Sequence, residues 1–128
     1  MRKDHSYRVL RVGAWQYLWR TYHQHVDGCT EVLRLRQLGS VAGLTLVFRS
    51  DGERNVPDGG YSSAGEIWIG DRFLNLNKPG VVRAFVDGAV RRGWMAEVRT
   101  VGRRDGWDLF DEVHAAKGEN TIVNPLSS

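Results

Sequence analysis

The stretch Thr21-Tyr22-His23-Gln24-His25-Val26-Asp27-Gly28-Cys29 gathers imidazole, carboxylate and thiol within a few positions of one another. Those groups are the ordinary donors for zinc and its neighbours. The secondary structure decides which of them can meet. On a strand, His23, His25, Asp27 and Cys29 share one side, because side chains alternate with period two. On a helix the pairs become His23 with Asp27 and His25 with Cys29, four residues apart. A metal site drawn from these four residues is one candidate. The competing reading makes them half-buried polar residues at the end of an aromatic element, with Cys29 packed as a small hydrophobe.

Over His23, His25 and Asp27 the stretch resembles the H-x-H-x-D-H motif of metallo-β-lactamase-like hydrolases. The resemblance covers only this segment. Gly28 stands where the motif's next histidine belongs, and the remaining histidines are His5 and His114. A chain of 128 residues is also too short for that family's two-layered domain, so the family is not assigned. Other catalytic motifs are missing. Ser62-Ser63 is no G-x-S-x-G elbow, and Cys29 lacks a clear orienting partner for a thiolate–imidazolium pair. The glycines at 52, 59, 60 and 65 precede no Gly-Lys-Ser/Thr, and their loop opens onto a strand, where a phosphate cradle needs a helix. No cofactor is implied, and the chain reads as non-enzymatic.

Two further surfaces are candidates. Residues 51–65 form a loop of about 15 residues, long enough to be functional in a compact domain. With it go Tyr61, Arg54 and Arg72, and Trp68 in Glu66-Ile67-Trp68-Ile69. Exposed Trp, Tyr and Arg are the residues that anchor protein interfaces, so this group is the candidate surface for a protein partner or a homodimer. The second surface is electrostatic. Residues 72–104 hold eight basic residues against two acidic, a balance of +6, and residues 105–119 hold one against five, a balance of −4. Folded on each other, the two segments screen one another. Left unpaired, Arg91, Arg92, Arg103 and Arg104 would form a basic face for nucleic acid.

Short elements must position these groups. Residues 6–12 alternate as a strand. Residues 14–27 fit both templates. Trp15, Leu18, Trp19, Tyr22 and Val26 make a helical stripe, while with Gly13-Ala14 as a hairpin turn Trp15, Tyr17, Trp19, Thr21, His23 and His25 share one face of a strand. The helix collects more apolar matches and is the expectation. Thr30–Gln37 and Leu44–Arg49 read as strands, the second more buried. Glu66–Ile69 and Arg72–Leu76 flank Gly70-Asp71 as a tight hairpin. The helix at about 78–92 has Asn77 as its cap, Pro79 in its first turn and Gly93 as its stop. Gly88 within it marks close packing on the sheet. Trp94–Val101 reads as a strand, Asp105-Gly106 as a turn, and 107–116 as a short helix or a last strand.

The sum is α+β: a mostly antiparallel sheet with one secure helix and one or two further helices on one face. Apolar residues make up 41% of the chain, enough for one globular domain over 1–128, with a tail loosely held from about 118. No apolar run reaches the roughly 18 residues of a membrane span. A single cysteine fits a reducing compartment, hence a cytoplasmic expectation. The leading functional expectation is a bacterial-type protein-binding or self-associating module of immunity or accessory type. The alternatives are nucleic-acid binding through residues 72–104, and a small metal-dependent enzyme built on His23, His25 and Asp27.

Overall fold

The computed structural model describes residues 7–25, 28–39, 43–56, 65–95, 101–117 and 119–120, with only the backbone described at Val101, Glu119 and Asn120. The chain begins as a meander of four strands: β1 (Arg8–Val12), β2 (Trp15–Gln24), β3 (Thr30–Gln37) and β4 (Gly43–Arg49). Gly13, at φ 61°, makes the first turn possible, and Val12 then faces Trp15 across the ladder. The chain continues through β5 (Arg54–Asn55), β6 (Glu66–Ile69) and β7 (Arg72–Asn75) to helix α1 (Pro79–Arg91). Strand β8 (Val101–Asp105) leads into a 3-10 turn (Gly106–Leu109), helix α2 (Phe110–Lys117) and β9 (Glu119–Asn120). The strands form two sheets, one of order β1-β2-β3-β4-β8 and a smaller one of order β5-β6-β7-β9. All pairs are antiparallel except β4 with β8, which run parallel. The architecture is α+β.

Three expectations are corrected. Residues 15–24 are a ten-residue strand, not a helix. Their aromatic and β-branched residues suit a pleated surface, and β1 and β3 satisfy the backbone on both sides. The apparent helical stripe is divided between two faces: Trp15 and Trp19 fall on one side of the strand and Leu18 and Tyr22 on the other, and Trp19 is buried in the core while Trp15, at the strand's start, is 57% exposed. At the other end, Arg92–Met95 are turn, residues 96–100 lie outside the description, and the strand begins at Val101. Finally, the α1 N-cap falls on Lys78, whose side chain makes no capping bond because an ammonium has no acceptor to offer, and the backbone N–H of Asn77 donates to Asn75 Oδ1 at 2.8 Å. The stop is as read. Gly93 sits at φ 75°, its N–H donates to Val90 and that of Trp94 donates to Ala89. These bonds satisfy the carbonyls that the helix end would leave orphaned.

One face of the large sheet carries the core. Alternation puts Tyr17 and Trp19, Leu33 and Leu35, and Leu44, Leu46 and Phe48 on that side. Val82, Phe85, Val86 and Ala89 of α1 cover them, joined by Trp107, Leu109, Phe110 and Val113 and by Ile67 and Leu74 of the small sheet. Phe48 is the pivot, meeting the rings of Phe85 and Trp107 edge-on at 5.5 and 5.3 Å. Each such buried ring contributes roughly 1.5–3 kcal/mol. Gly88 does mark a close approach, but to α2 rather than to the sheet. A Cβ there would lie 2.9 Å from Glu112 Oε2 and 3.1 Å from Leu109 Cδ2.

The basic and acidic segments fold on each other. Arg72 pairs with Asp111 at 3.1 Å, and both Arg91 and Arg92 pair with Glu112, the latter at 2.9 Å. No helix among the described residues is long and apolar enough to cross a membrane.

Candidate metal centre

The strand assignment of 15–24 decides how the donor residues meet. His23 is near the end of β2, directly opposite Glu31 in the β2–β3 register. His25 follows two positions on, and Cys29 returns on the other side of the turn, one residue before β3. Among the described residues, the ligand atoms of His23, His25 and Cys29 all lie within 4.8 Å of one another. His25 Nδ1 is 3.8 Å from Cys29 Sγ, and the two imidazole rings meet edge-on at 4.6 Å. Tetrahedral zinc, with bonds of about 2.0–2.3 Å, sets its ligand atoms roughly 3.3–3.8 Å apart. One edge of the triangle already has that length, and closing the rest needs movements of about 1 Å. Asp27 lies outside the described residues.

Behind the three donors stands a carboxylate. Glu31 is fully buried, in the same alternating row as Leu33 and Leu35. It is hydrogen-bonded to His23 Nδ1 at 2.8 Å and accepts from the Thr21 hydroxyl at 2.9 Å. Burial pushes its carboxyl above the ordinary value, and the bonds from His23 and Thr21 pull it part of the way back. Buried charge is tolerable only when it is satisfied in this way. Nδ1 is engaged by Glu31, and the other ring nitrogen of His23, Nε2, is buried with no hydrogen-bond partner. A buried polar atom without a partner is unusual. A histidine that gives one nitrogen to a carboxylate and keeps the other for a metal is the common arrangement around zinc.

No family model matches the chain, and no curated protein or solved structure is similar to it. The reading of the site therefore rests on its geometry.

The other candidate residues are dispersed. Trp68 is half-buried, stacks on Phe73 at 4.5 Å and donates its indole N–H to Glu66. Tyr61 lies outside the described residues. Arg54 sits over the Trp107 ring at 5.7 Å, and Arg72 sits over Phe110 at 5.5 Å. Arg91 and Arg92 are held by Glu112, and Arg92 and Arg104 both sit over the Trp94 ring, at 5.6 and 5.0 Å. Arg103 and Arg104 also share a cavity of about 380 Å³ with Arg49, Arg54 and Trp107. The residue missed in the sequence is Glu31. Its signal was present: an acid in the apolar row of a strand, placed to face a histidine once β2 and β3 pair.

Proposed function

We propose that this protein binds a single transition-metal ion, zinc by its donor set, through His23, His25 and Cys29, and that Glu31 positions His23. The observation that carries this reading is the buried, unpartnered Nε2 of His23, on a ring grouped within 4.8 Å of two further donors while its Nδ1 is engaged by a buried carboxylate. Two imidazoles and a thiolate favour zinc over the hard, oxygen-seeking cations. The donors bracket one connection, between β2 and β3, so the ion would staple the tip of that hairpin. The cavity at the β4–β8 end and the shallower one beside it are lined by none of the three donors, which favours a structural over a catalytic role. The partner-binding reading has less behind it, since the indole of Trp68 is already engaged within its own sheet.

Elemental analysis of protein purified without chelator tests the proposal, together with cobalt substitution read by its thiolate charge-transfer band. One equivalent of zinc is expected, lost in His25→Ala, a change at an exposed residue of the hairpin tip, and in Cys29→Ser, a near-isosteric change at the edge of the core. At a hundredfold excess over Kd, binding to the native state alone adds about 2.7 kcal/mol, a Tm rise of several degrees. Metal-free protein whose Tm ignores added zinc would overturn the reading.

A further inference from the structure

The face of the large sheet turned away from the core is set by the strand register. Arg20 on β2 stands opposite Arg34 on β3, Arg34 opposite Thr45 on β4, and Thr45 opposite Arg103 on β8. One row across the sheet therefore carries three arginines. Arg36 lies two residues along β3 from Arg34, Arg11 lies on the same side of β1, and Arg49 closes that side of β4. Six arginines share this face, and Asp105 is its one acidic residue among those described.

The contrast with the opposite side is instructive. There Arg72, Arg83, Arg91 and Arg92 each have a carboxylate within 4 Å. Among the described residues none of the six outer-face arginines has one. The Asp105 carboxylate is itself engaged by the Trp107 backbone N–H at 2.9 Å. Arg20 adds an unmet donor: its Nε is buried without an acceptor, while its guanidinium lies 5.2 Å from the Tyr7 ring and 4.9 Å from Tyr22. At the β8 edge, Arg49 and Arg103 reach a cavity that is also lined by Arg54 and Arg104 and by the carboxylates of Asp51 and Asp105.

We infer that this face binds single-stranded nucleic acid, its phosphates on the Arg20–Arg34–Arg103 row and its bases against the Tyr7 and Tyr22 rings beside Arg20. Unpaired guanidinium groups beside π-faces on a sheet are the combination that holds single strands without reading sequence. A duplex fits poorly. Groove readers insert a helix or a ribbon, and among the described residues both helices pack on the core side. The inference is independent of the metal site at the hairpin tip.

Fluorescence anisotropy with a labelled oligothymidylate of about 16 nucleotides, a length within the usual site size, tests it. Four phosphate contacts give a slope of log affinity on log salt near −2.8, about fiftyfold weaker binding for a fourfold rise in salt. Arg34→Glu and Arg103→Glu should each reduce affinity and flatten the slope by roughly 0.7, with unchanged Tm. Arg103 is exposed at the sheet edge, which keeps the test valid if the Arg34 variant folds poorly. Arg83→Glu, on α1, changes the net charge equally and should leave affinity nearly unchanged.

Four results would overturn the inference. They are no binding at the lowest salt, equal weakening by Arg83→Glu, equal competition by a duplex or polyglutamate at matched charge, and full displacement by inorganic phosphate at matched phosphate.

Discussion

Gly106 opens the 3-10 turn at a point where the backbone runs against the Phe48 ring. A Cβ at this position would lie 2.3, 2.4 and 2.7 Å from three carbons of that ring. The ring has little freedom to retreat, held edge-on between Phe85 and Trp107 in a fully buried site. Gly106→Ala therefore inserts a methyl group into filled space, and overpacking of that kind costs about 1–3 kcal/mol or more. The cost should depend on the ring, not on the glycine's backbone freedom. A double-mutant cycle with Phe48→Leu separates the two causes. Leucine leaves a space where the ring edge was, so the second change should cost much less in that background. The expected coupling is about 1–3 kcal/mol, in the range found for residues in contact. Urea unfolding of the four proteins, compared at a common m-value, measures it. Additive losses within about 0.5 kcal/mol would refute the close-approach argument.

Two further outcomes follow from the geometry described. Because burial raises the Glu31 carboxyl, the native state holds that proton more tightly than the unfolded chain does. Metal-free wild type should then lose stability relative to Glu31→Gln as pH rises through the window above the ordinary carboxylate value, by at most about 1.4 kcal/mol per pH unit. Parallel urea midpoints for the two proteins across weakly acidic pH would count against it. Gly88→Ala should fail to deliver the roughly 1 kcal/mol that alanine normally adds to a helix interior. The new methyl group displaces Glu112 from Arg91 and Arg92 and presses on Leu109, so a clear rise in Tm would show that these neighbours yield freely.

Much of the fold was legible because several segments carry one period only. Thr30–Gln37 alternates and is a strand over those same residues, and the Gly70-Asp71 hairpin and the Gly93 stop follow from turn chemistry. Residues 15–24 misled because aromatic residues at three-, four- and two-residue spacings satisfy both templates. What settles them is pairing with β1 and β3, a long-range effect that no local window contains. The metal donors were visible as residue types, yet their convergence depended on that same unresolved segment. Glu31 was hidden for a different reason. A carboxylate in an apolar row looks like noise until the opposite strand places His23 beside it. The outer-face arginines could not be grouped beforehand either. They come from five strands, and only the strand register, with Arg20, Arg34, Thr45 and Arg103 in one row, joins them.

The parallel pairing of β4 with β8 has a consequence for how the chain comes off the ribosome. The first four strands are contiguous and can pair as they emerge, leaving β4 as the open edge of the meander. Six of its seven residues end up buried, so that edge is an apolar template for other chains. Its native partner at 101–105 is made more than fifty residues later. At about 5–20 residues per second, the edge waits several seconds for it. The period of greatest aggregation risk in this protein is thus set by translation speed between β4 and β8, and a slowed ribosome in that interval would lower the soluble yield without altering a single contact in the finished fold.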